Sequence, residues 1–266
     1  MCLILFAHQI HPDFPLVLAA NRDEFHARPT AAAAPWPEAP WVLGGRDLLA
    51  GGTWLAICQA GRWAAVTNFR EGASAARGER SRGHLVSDYV TDASTPADYL
   101  DTALGDEDRY AGYNLLVGDG VEVFWTSNRR QGPPRYRSLP PGIYGVSNHL
   151  LDTPWPKVRR GKAELAKLLR PPPGAGPDPD RLLDLLMDRT LAAEQELPST
   201  GVTAELERAL SAAFIQTSDY GTRSSTALLR HRNGTVLFAE RQFDSTGRTS
   251  GESRFEGGAG EGWSIR

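Results

Sequence analysis

The first 24 residues constrain the fold of this chain more than any other segment. Residues 3–7 and 16–20 are apolar runs with the length and composition of β-strands, and the proline-bearing segment between them suits a hairpin loop. If the loop lies midway, paired residue numbers sum to about 24, which places Cys2 opposite Arg22. The hairpin therefore predicts that a thiol near the chain terminus lies beside a charged strand end, next to Asp23.

Composition excludes several functional classes. The chain has 266 residues, 41% of them hydrophobic and 23% charged, which is typical of a soluble globular protein. A net charge of −3 gives no general attraction to nucleic acid, so we expect no nucleic-acid partner. No apolar run approaches the roughly 18 residues of a membrane span, and the N-terminus lacks the basic segment of a signal peptide. With two cysteines, Cys2 and Cys58, we expect a reducing, cytoplasmic setting.

The order of predicted elements favours an α+β fold. Strand pairs are predicted around residues 53–67, 112–126 and 220–242, the last with an Asn233-Gly234 turn. Between them lie predicted helices, among them 157–169, 181–191 and 204–214. Strands grouped in hairpins favour antiparallel sheets covered by helices over a doubly wound parallel sheet. Because residues 3–7 are apolar on both faces, at least one sheet is expected to be buried between layers.

Four segments are predicted to lack regular structure. Residues 27–40, rich in alanine and proline, are expected to form an irregular surface connection, and residues 72–83 a mobile loop. The proline-rich segment 171–179 is interpreted as a loop within one domain. The glycine- and serine-rich residues 245–266 are predicted to be a flexible tail. The predicted organisation is therefore a single domain, 1–244, followed by the tail 245–266.

Cysteine at position 2 has a chemical property that other positions lack. If Met1 is removed, the same residue carries both a thiol and a free α-amine. The amine has a reference pKa of about 7.7–8.0, so it can serve as the general base of the thiol. Such a residue is a self-contained nucleophile and base. The alternative interpretation is that Cys2 is a small apolar residue at the beginning of a strand.

Charged and amide side chains accompany this cysteine as candidate site residues. Arg22 can favour the thiolate, and Asp23 can hold the α-amine or a substrate amine. The alternative is a solvated ion pair worth under about 1 kcal/mol. Asn68, Asn114 and Asn148 lie near predicted strand ends, where asparagine either donates to an oxyanion or simply occupies a turn. Among the three, Asn148 is the preferred oxyanion donor.

A polar segment, residues 220–226, precedes a predicted strand and contains Arg223. This arginine can bind a carboxylate or phosphate, unless the segment is merely a polar edge strand. The histidines near Cys2 do not have zinc-ligand spacing, and the chain contains no CxxC or HExxH motif. It also contains no GxGxxG or P-loop pattern. We therefore expect neither a metal nor another cofactor.

Several motifs together resemble the NRDE family, the transport-and-Golgi-organisation protein family. They extend from residue 2 to about residue 225: Cys2 with its apolar strand, Asn21-Arg22-Asp23-Glu24, Gly51-Gly52-Thr53-Trp54, Thr67-Asn68-Phe69-Arg70, Ser81-Arg82-Gly83, Tyr113-Asn114-Leu115-Leu116, Gly145-Val146-Ser147-Asn148 and Tyr220-Gly221-Thr222-Arg223-Ser224-Ser225. The family is similar in its N-terminal cysteine to the N-terminal-nucleophile hydrolases. The resemblance thus implies their four-layer α/β/β/α sandwich, in agreement with the predicted order of strands and helices.

Among those hydrolases, the choloylglycine and penicillin V acylase group is the nearest analogue. Its members pair an N-terminal cysteine with an arginine and an aspartate on the next strand, and with later asparagine and arginine residues. Cys2 and Asp23 match that pattern, and Asn148 and Arg223 are the corresponding later residues. Arg22 departs from it, because here the arginine and the aspartate are adjacent in the chain.

These observations lead to one principal functional hypothesis. The chain is expected to be a cysteine amide hydrolase that acts on linear C–N bonds of a small-molecule substrate. Cys2 is the expected nucleophile, assisted by Arg22, Asp23 and Asn148. Substrate-binding residues would then be Arg223, Asn68 and Asn114.

Two other hypotheses remain open from the sequence. The first is a non-catalytic binding or trafficking protein for haem or another lipophilic ligand, with His8, His26 or His149 as axial ligands. Eukaryotic members of the NRDE family are associated with secretory-pathway organisation and haem mobilisation. The second is a protein-interaction module that exposes the tryptophan-rich stretch between Trp36 and Trp63, although packing in a core suits these side chains better.

Overall fold

Two antiparallel β-sheets packed face to face form the middle of the structure. The computed structural model describes residues 2–72, 78–170 and 176–266, and within these ranges each sheet has seven strands. The strands of the first sheet are β1 (Cys2–His8), β2 (Leu16–Phe25), β10 (Gly142–Val146), β11 (Tyr220–Arg230), β12 (Val236–Phe243), β13 (Thr249–Gly258) and β14 (Gly262–Ile265). Those of the second are β3 (Thr30–Trp36), β4 (Ala39–Asp47), β5 (Leu55–Cys58), β6 (Trp63–Asn68), β7 (Tyr113–Gly118), β8 (Val123–Ser127) and β9 (Arg137–Ser138).

The order of the strands separates the two sheets cleanly. The first sheet runs β10-β1-β2-β11-β12-β13-β14, so the N-terminal hairpin lies inside it, and the second runs β3 to β9 in chain order. The described helices are α1 (Gly83–Thr91), α2 (Pro96–Ala103), α3 (Pro156–Leu168), α4 (Pro179–Leu185) and α5 (Ala204–Ala209), with short 3₁₀ helices at Leu104–Arg109 and Glu194–Glu196.

Helices cover the outer face of each sheet. α1 and α2 pack on the second sheet through a shared apolar cluster, and α3 and α4 pack on the first sheet through another. A third cluster fills the space between the sheets. The layers are therefore helix, sheet, sheet, helix, which confirms the predicted α+β sandwich.

Both faces of β1 are buried, which explains its continuous apolar sequence. Ile4 and Phe6 face the second sheet, whereas Leu3 and Leu5 face the helices α3 and α4. All four side chains are at most 2% exposed. Burial of such side chains is worth roughly 1.5–3 kcal/mol each, so the pattern fixes this strand in the middle of the sandwich.

The predicted register of the first hairpin and the predicted strand pair of the second are confirmed. Cys2 pairs with Arg22 across β1 and β2, as the sum of 24 requires. In the second hairpin, predicted around residues 53–67, Leu55 pairs with Ala65. Because side chains alternate between the faces of a strand, this register places Cys2 and Arg22 on the face towards the second sheet.

The alanine- and proline-rich segment departs from its prediction as an irregular connection. Residues 27–40 contain all of β3 and the beginning of β4, and these two strands form a paired hairpin. β3 is the edge strand of its sheet, and its register shifts on either side of Pro35. An edge strand tolerates proline because its outward N–H has no partner to lose.

Two other loop predictions fall partly outside the described residues. Of the predicted mobile loop 72–83, residues 73–77 are outside them, as are residues 171–175 of the predicted loop 171–179. The predicted helix 204–214 ends at Ala209. The segment that follows, residues 210–215, is buried and non-helical, and it is called the buried strap below.

The C-terminal segment contradicts the prediction of a flexible tail at 245–266. β13 pairs with β12, and β14 pairs with β13, so these residues extend the first sheet. Phe255 is 7% exposed and lies in the core between the sheets, with Trp263 packed against the same cluster. A Cβ atom on Gly257 would lie 2.4 Å from the Gly262 carbonyl oxygen. Glycine therefore permits close strand packing here, and its abundance does not indicate disorder.

A carboxyl group is buried between the sheets at Glu240, which is 1% exposed. Its Oε1 accepts hydrogen bonds from the Ala33 N–H at 2.7 Å and from Gln242 Nε2 at 3.0 Å. Burial raises the pKa of Glu240 above its ordinary value of 4.5, and the hydrogen bonds and Arg22 oppose that rise. Glu240 thus joins β12 to the edge strand β3 at the expense of desolvating a carboxylate.

Substitution of Glu240 by glutamine is expected to stabilise the protein at pH 8. A raised folded-state pKa favours the fold below the unfolded-state pKa, and that contribution is lost as the pH rises through the folded-state pKa. The neutral amide of glutamine keeps the acceptor oxygen but does not ionise, so the protein no longer loses stability as the pH rises. Urea unfolding should show a free-energy gain for Glu240→Gln at pH 8 that shrinks towards pH 4. Glu261→Gln, at an exposed turn, is the control; equal gains in both variants would contradict the prediction.

No helix in the described ranges is long and apolar enough to span a bilayer. The longest of them, α3, has 13 residues.

Candidate active site

Cys2 lies at the end of β1 and is 9% exposed. Burial raises the pKa of its thiol, and the neighbouring Asp23 carboxylate acts in the same direction. The backbone N–H of Asp23 and the guanidinium of Arg22 oppose that rise by stabilising the thiolate. The balance leaves the thiol protonated at neutral pH, so its use as a nucleophile requires a base.

Asp23 lies on the opposite face of the sheet from Arg22, towards the helices, and is 1% exposed. Its Oδ1 accepts a hydrogen bond from Thr222 Oγ1 at 2.7 Å, and its carbonyl oxygen accepts one from the Tyr220 hydroxyl at 2.8 Å. Burial raises the pKa of Asp23, whereas Lys157, Thr222 and Arg22 act against the rise. The carboxyl group is thus held in place by β11 and has a positively charged environment.

Arg22 links the two sheets beside the thiol. Its guanidinium carbon lies 4.4 Å from the ring centroid of Trp54, and its Nη1 donates to Thr30 Oγ1 at 3.0 Å. Glu24 Oε2 is 3.9 Å from its Nη2. The side chain is 5% exposed, so stacking and hydrogen bonding fix the cation in one position. It therefore provides a stationary positive charge next to Cys2.

Asn148 and Asn68 connect three strand ends around Cys2. Asn148 is fully buried, and its Nδ2 donates to the Asn68 carbonyl oxygen at 3.0 Å. The adjacent Ser147 Oγ donates to the Cys2 carbonyl oxygen at 3.0 Å. Asn68 borders the cavity described below, and Asn148 does not. The structure thus brings both predicted asparagines to the site and gives them different positions.

Two other residues singled out in the sequence lie away from this group. Asn114 Nδ2 donates to Thr67 Oγ1 and to the His149 carbonyl oxygen, so this buried amide joins neighbouring strands. Arg223 lies where the pairing of β11 with β2 shifts register, and its Nη1 donates to the carbonyl oxygens of Phe25 and His26. Neither residue borders the cavity at Cys2. Their prediction as substrate-binding residues has no support in this geometry.

The histidines considered as haem ligands are dispersed. His8 is at the far end of β1 from Cys2, and burial lowers its pKa. His26 Nε2 contacts the Thr217 carbonyl oxygen, and His149 packs 4.9 Å from the ring of Phe69. None of the three borders the cavity at Cys2. In the described ranges, no three His, Cys, Asp or Glu side chains are grouped to hold a metal ion.

A cavity of about 720 Å³ opens at the end of the sandwich next to Cys2. Its base consists of strand ends that include Cys2, Arg22 and Asn68, and its walls come from residues 47–54 and 78–83. The volume lies within the range of roughly 300–1,000 Å³ that is usual for small-molecule sites. A buried thiol, a fixed guanidinium and an amide therefore face a space large enough for a small molecule.

The two walls meet at a glycine contact. Gly52 has φ +72°, and a Cβ atom there would lie 2.5 Å from the Gly83 carbonyl carbon. The Thr53 N–H donates to the Gly83 carbonyl oxygen at 3.2 Å. Only glycine combines this backbone conformation with so close an approach, which fixes the beginning of α1 against the first wall.

Sequence reasoning missed two charged residues of this region. Arg82 borders the cavity, and its Nη1 donates to the Gly112 carbonyl oxygen at 2.9 Å. Its position within the Ser81-Arg82-Gly83 motif was the signal that could have identified it. Lys157, at the beginning of α3, is buried under Asp23, and nothing in the local sequence distinguishes it from a surface lysine.

A four-layer sandwich with a cysteine at the beginning of an inner strand is the fold of the N-terminal-nucleophile hydrolases, so this chain belongs to that fold class. The solved structure of the Caenorhabditis elegans N-acylethanolamine-hydrolyzing acid amidase ortholog is similar to this chain with a TM-score of 0.50. That similarity covers 86% of this chain and 92% of the amidase ortholog. The two sequences are 11% identical, so the likeness concerns the fold alone.

The chain belongs to the Transport and Golgi organisation 2 family, whose model matches residues 1–245. The Bos taurus Transport and Golgi organization protein 2 homolog is 34% identical over 260 residues, which cover 91% of this chain and 92% of the relative. The Homo sapiens homolog is 33% identical with the same coverage. The NRDE resemblance seen in the motifs is therefore confirmed.

Proposed function

We propose that this protein is a cysteine amide hydrolase that acts on linear C–N bonds of a small molecule. The observation that carries the proposal is the position of Cys2, at the chain terminus, beside Arg22 and Asp23 and at the base of the cavity. The likeness in fold to an N-acylethanolamine-hydrolyzing acid amidase supports the same reaction class. The side chains present fit a nucleophile whose base is its own α-amine.

The first half of the reaction begins after Met1 is removed. The α-amine of Cys2 takes the thiol proton, and the sulfur attacks the substrate carbonyl carbon to form a tetrahedral oxyanion. Asp23 orients the α-ammonium that results. As the C–N bond breaks, the ammonium gives its proton to the departing nitrogen, so the amine product leaves and a thioester remains on Cys2.

The second half of the reaction returns the enzyme to its starting state. The α-amine takes a proton from water, and the hydroxide so formed attacks the thioester carbonyl. The carboxylic acid product leaves, and the thiol recovers its proton. One water molecule is consumed for each amide bond broken, and no redox change occurs.

Asn68 is the side chain we assign to the oxyanion, because it borders the cavity. Asn148, the donor preferred from the sequence, uses one N–H on the Asn68 carbonyl oxygen and is fully buried. We assign it the task of positioning Asn68. Arg82 replaces Arg223 as the residue that binds an acidic part of the substrate, since its guanidinium borders the cavity and is fixed by Gly112.

The test of the proposed function compares substitutions at the two cysteines. Wild-type protein is incubated with a panel of linear amides, and the released amine is quantified. Cys2→Ala should abolish release, whereas Cys58→Ala, in the core of the second sheet, should retain it. Release that persists unchanged in Cys2→Ala would rule out the nucleophile.

Asn68→Ala is expected to lower kcat by roughly 10²–10³-fold with little effect on KM, as loss of an oxyanion donor does. Asn114→Ala is the matched control, because Asn114 is also a strand amide but does not border the cavity. That control should lose thermal stability while kcat stays near the wild-type value. Equal kcat losses in both variants would remove Asn68 from the oxyanion role.

A further inference from the structure

Lys157 is a buried lysine for which the proposed reaction has no use. It is the second residue of α3 and is 2% exposed, and its Nζ donates to the Leu210 carbonyl oxygen at 3.0 Å. Lysine is almost never fully buried unless an opposite charge accompanies it. One neutral carbonyl does not balance its charge, so the compensating anion must lie nearby.

Charged groups from several elements surround Lys157. Asp23 on β2 is the opposite charge that acts most strongly on it, and Arg70, Cys2 and Glu207 follow. Arg70 Nη1 lies 2.5 Å from Glu207 Oε2, and both side chains are 4% exposed. Glu207 is thus the ion-pair partner of Arg70, and Asp23 is the anion that acts most strongly on Lys157.

Hydrogen bonds attach Lys157 and Asp23 to the same segment, the buried strap 210–215. The strap accepts the Lys157 hydrogen bond at Leu210, and its Ile215 N–H donates to Thr222 Oγ1 at 2.9 Å. Thr222 Oγ1 in turn donates to Asp23 Oδ1 at 2.7 Å. The strap thus binds the ammonium at one end and, through Thr222, the carboxyl at the other.

Burial acts on the two groups in opposite senses. It raises the pKa of Asp23 and lowers that of Lys157 to about 8, and each group opposes the effect on the other. Each charge is therefore stabilised by its partner, because an isolated buried charge is neutralised by a change in its pKa.

We propose that Lys157 is a positioning residue, whose buried ammonium keeps Asp23 in the carboxylate form that holds the α-amine of Cys2. The electrostatic link between Lys157 and Asp23 rests on the burial of both groups, on the hydrogen bonds that link them to the buried strap and on the attraction between their charges. Only the effect of Lys157 on the α-amine of Cys2 rests on the proposed function. Loss of the ammonium would protonate Asp23 more easily and leave the amine without its orienting partner.

The pairing is tested by carbon NMR of the lysine side chains. The sequence has three lysines, at 157, 162 and 167, so ε-¹³C labelling gives three resonances. In the wild-type protein the Lys157 resonance should titrate near pH 8. In Asp23→Asn it should titrate at lower pH, because the stabilising anion is gone, while Lys162 and Lys167 stay unchanged. A Lys157 titration that is the same in both proteins would overturn the pairing.

The effect on the site is tested by the pH dependence of Cys2 alkylation in protein that begins at Cys2. Lys157→Met should move the alkylation profile to higher pH, because removal of a cation raises the pKa of every acid in the cluster. Lys157→Arg keeps the charge and should restore the wild-type profile. Lys162→Met, a lysine on the outside of the same helix, should have no effect.

The outcomes separate this inference from the proposed function. A purely structural Lys157 would lower stability in Lys157→Met without moving the alkylation profile, and that result would overturn the inference. Neither measurement needs turnover, so a failure to find a hydrolysed amide leaves both readouts decisive. If Lys157→Met does not fold, the NMR comparison of wild type with Asp23→Asn decides.

Discussion

Under the proposed mechanism, protein that begins at Cys2 should hydrolyse a linear amide on the order of 10²–10⁴ times faster than the same chain with Met1 retained. The reason is that Met1 converts the α-amine of Cys2 into an amide, which cannot accept the thiol proton. Without that base the thiol stays protonated at neutral pH, because burial raises its pKa.

The comparison uses one preparation with a cleavable tag directly before Cys2. Hydrolysis is measured before and after the tag is removed, and intact mass confirms the new N-terminus. A parallel preparation that leaves one glycine before Cys2 controls for removal of the tag itself. Equal rates with and without the extra residue would exclude the α-amine as the base, although Cys2 could still be the nucleophile.

Removal of residues 245–266 should unfold the protein or lower its free energy of unfolding by more than about 3 kcal/mol, the usual cost of losing a large core side chain. The deletion takes away Phe255 from the core between the sheets and exposes β12 as an edge strand. It also removes Arg254, whose guanidinium pairs with Asp180 at the beginning of α4.

Urea unfolding and limited proteolysis measure this effect. The control lacks only Arg266, an exposed residue beyond β14, and it should unfold at the wild-type midpoint. If the chain ending at Asp244 had the same midpoint as the full chain, the C-terminal strands would not belong to the cooperative unit.

The hairpin that carries the site could be predicted because its physics is local. β1 and β2 are joined by a short loop, and side chains alternate with a period of two, so the register of Cys2 against Arg22 follows from the sequence. The chemistry of a cysteine near the chain terminus is also a local property. These features place Cys2, the proposed nucleophile, without knowledge of the other strands.

Composition led to wrong predictions for segments in which glycine, alanine and proline allow close packing of strands. β3 contains four alanines and Pro35, yet it is a strand because it lies at a sheet edge. In β13, Gly257 permits close contact with Gly262, while Phe255 supplies the core side chain. Flexible and closely packed segments share these residue types, and only the neighbouring strand distinguishes them.

The charged residues of the site could be predicted only in part, because their contacts join distant segments. Lys157 and Asp23 are separated by more than a hundred residues, and both are linked to the buried strap, Lys157 directly and Asp23 through Thr222. Arg223 follows Thr222, which contacts Asp23, but the register shift between β2 and β11 directs its guanidinium to backbone carbonyls. A β-bulge re-aims a side chain in a way that residue spacing does not reveal.

The construction of the cavity has a consequence for how such a protein diversifies. Its base, which includes Cys2, is made from strand ends that are buried in the sandwich, whereas its walls are the separate segments 47–54 and 78–83. Leu49, in the first wall, is 66% exposed and contributes nothing to the core. The residues that would select a ligand are therefore different from those that stabilise the fold. Substitutions in the two wall segments can change which ligand binds without changing the strand ends at the base or the stability of the sandwich.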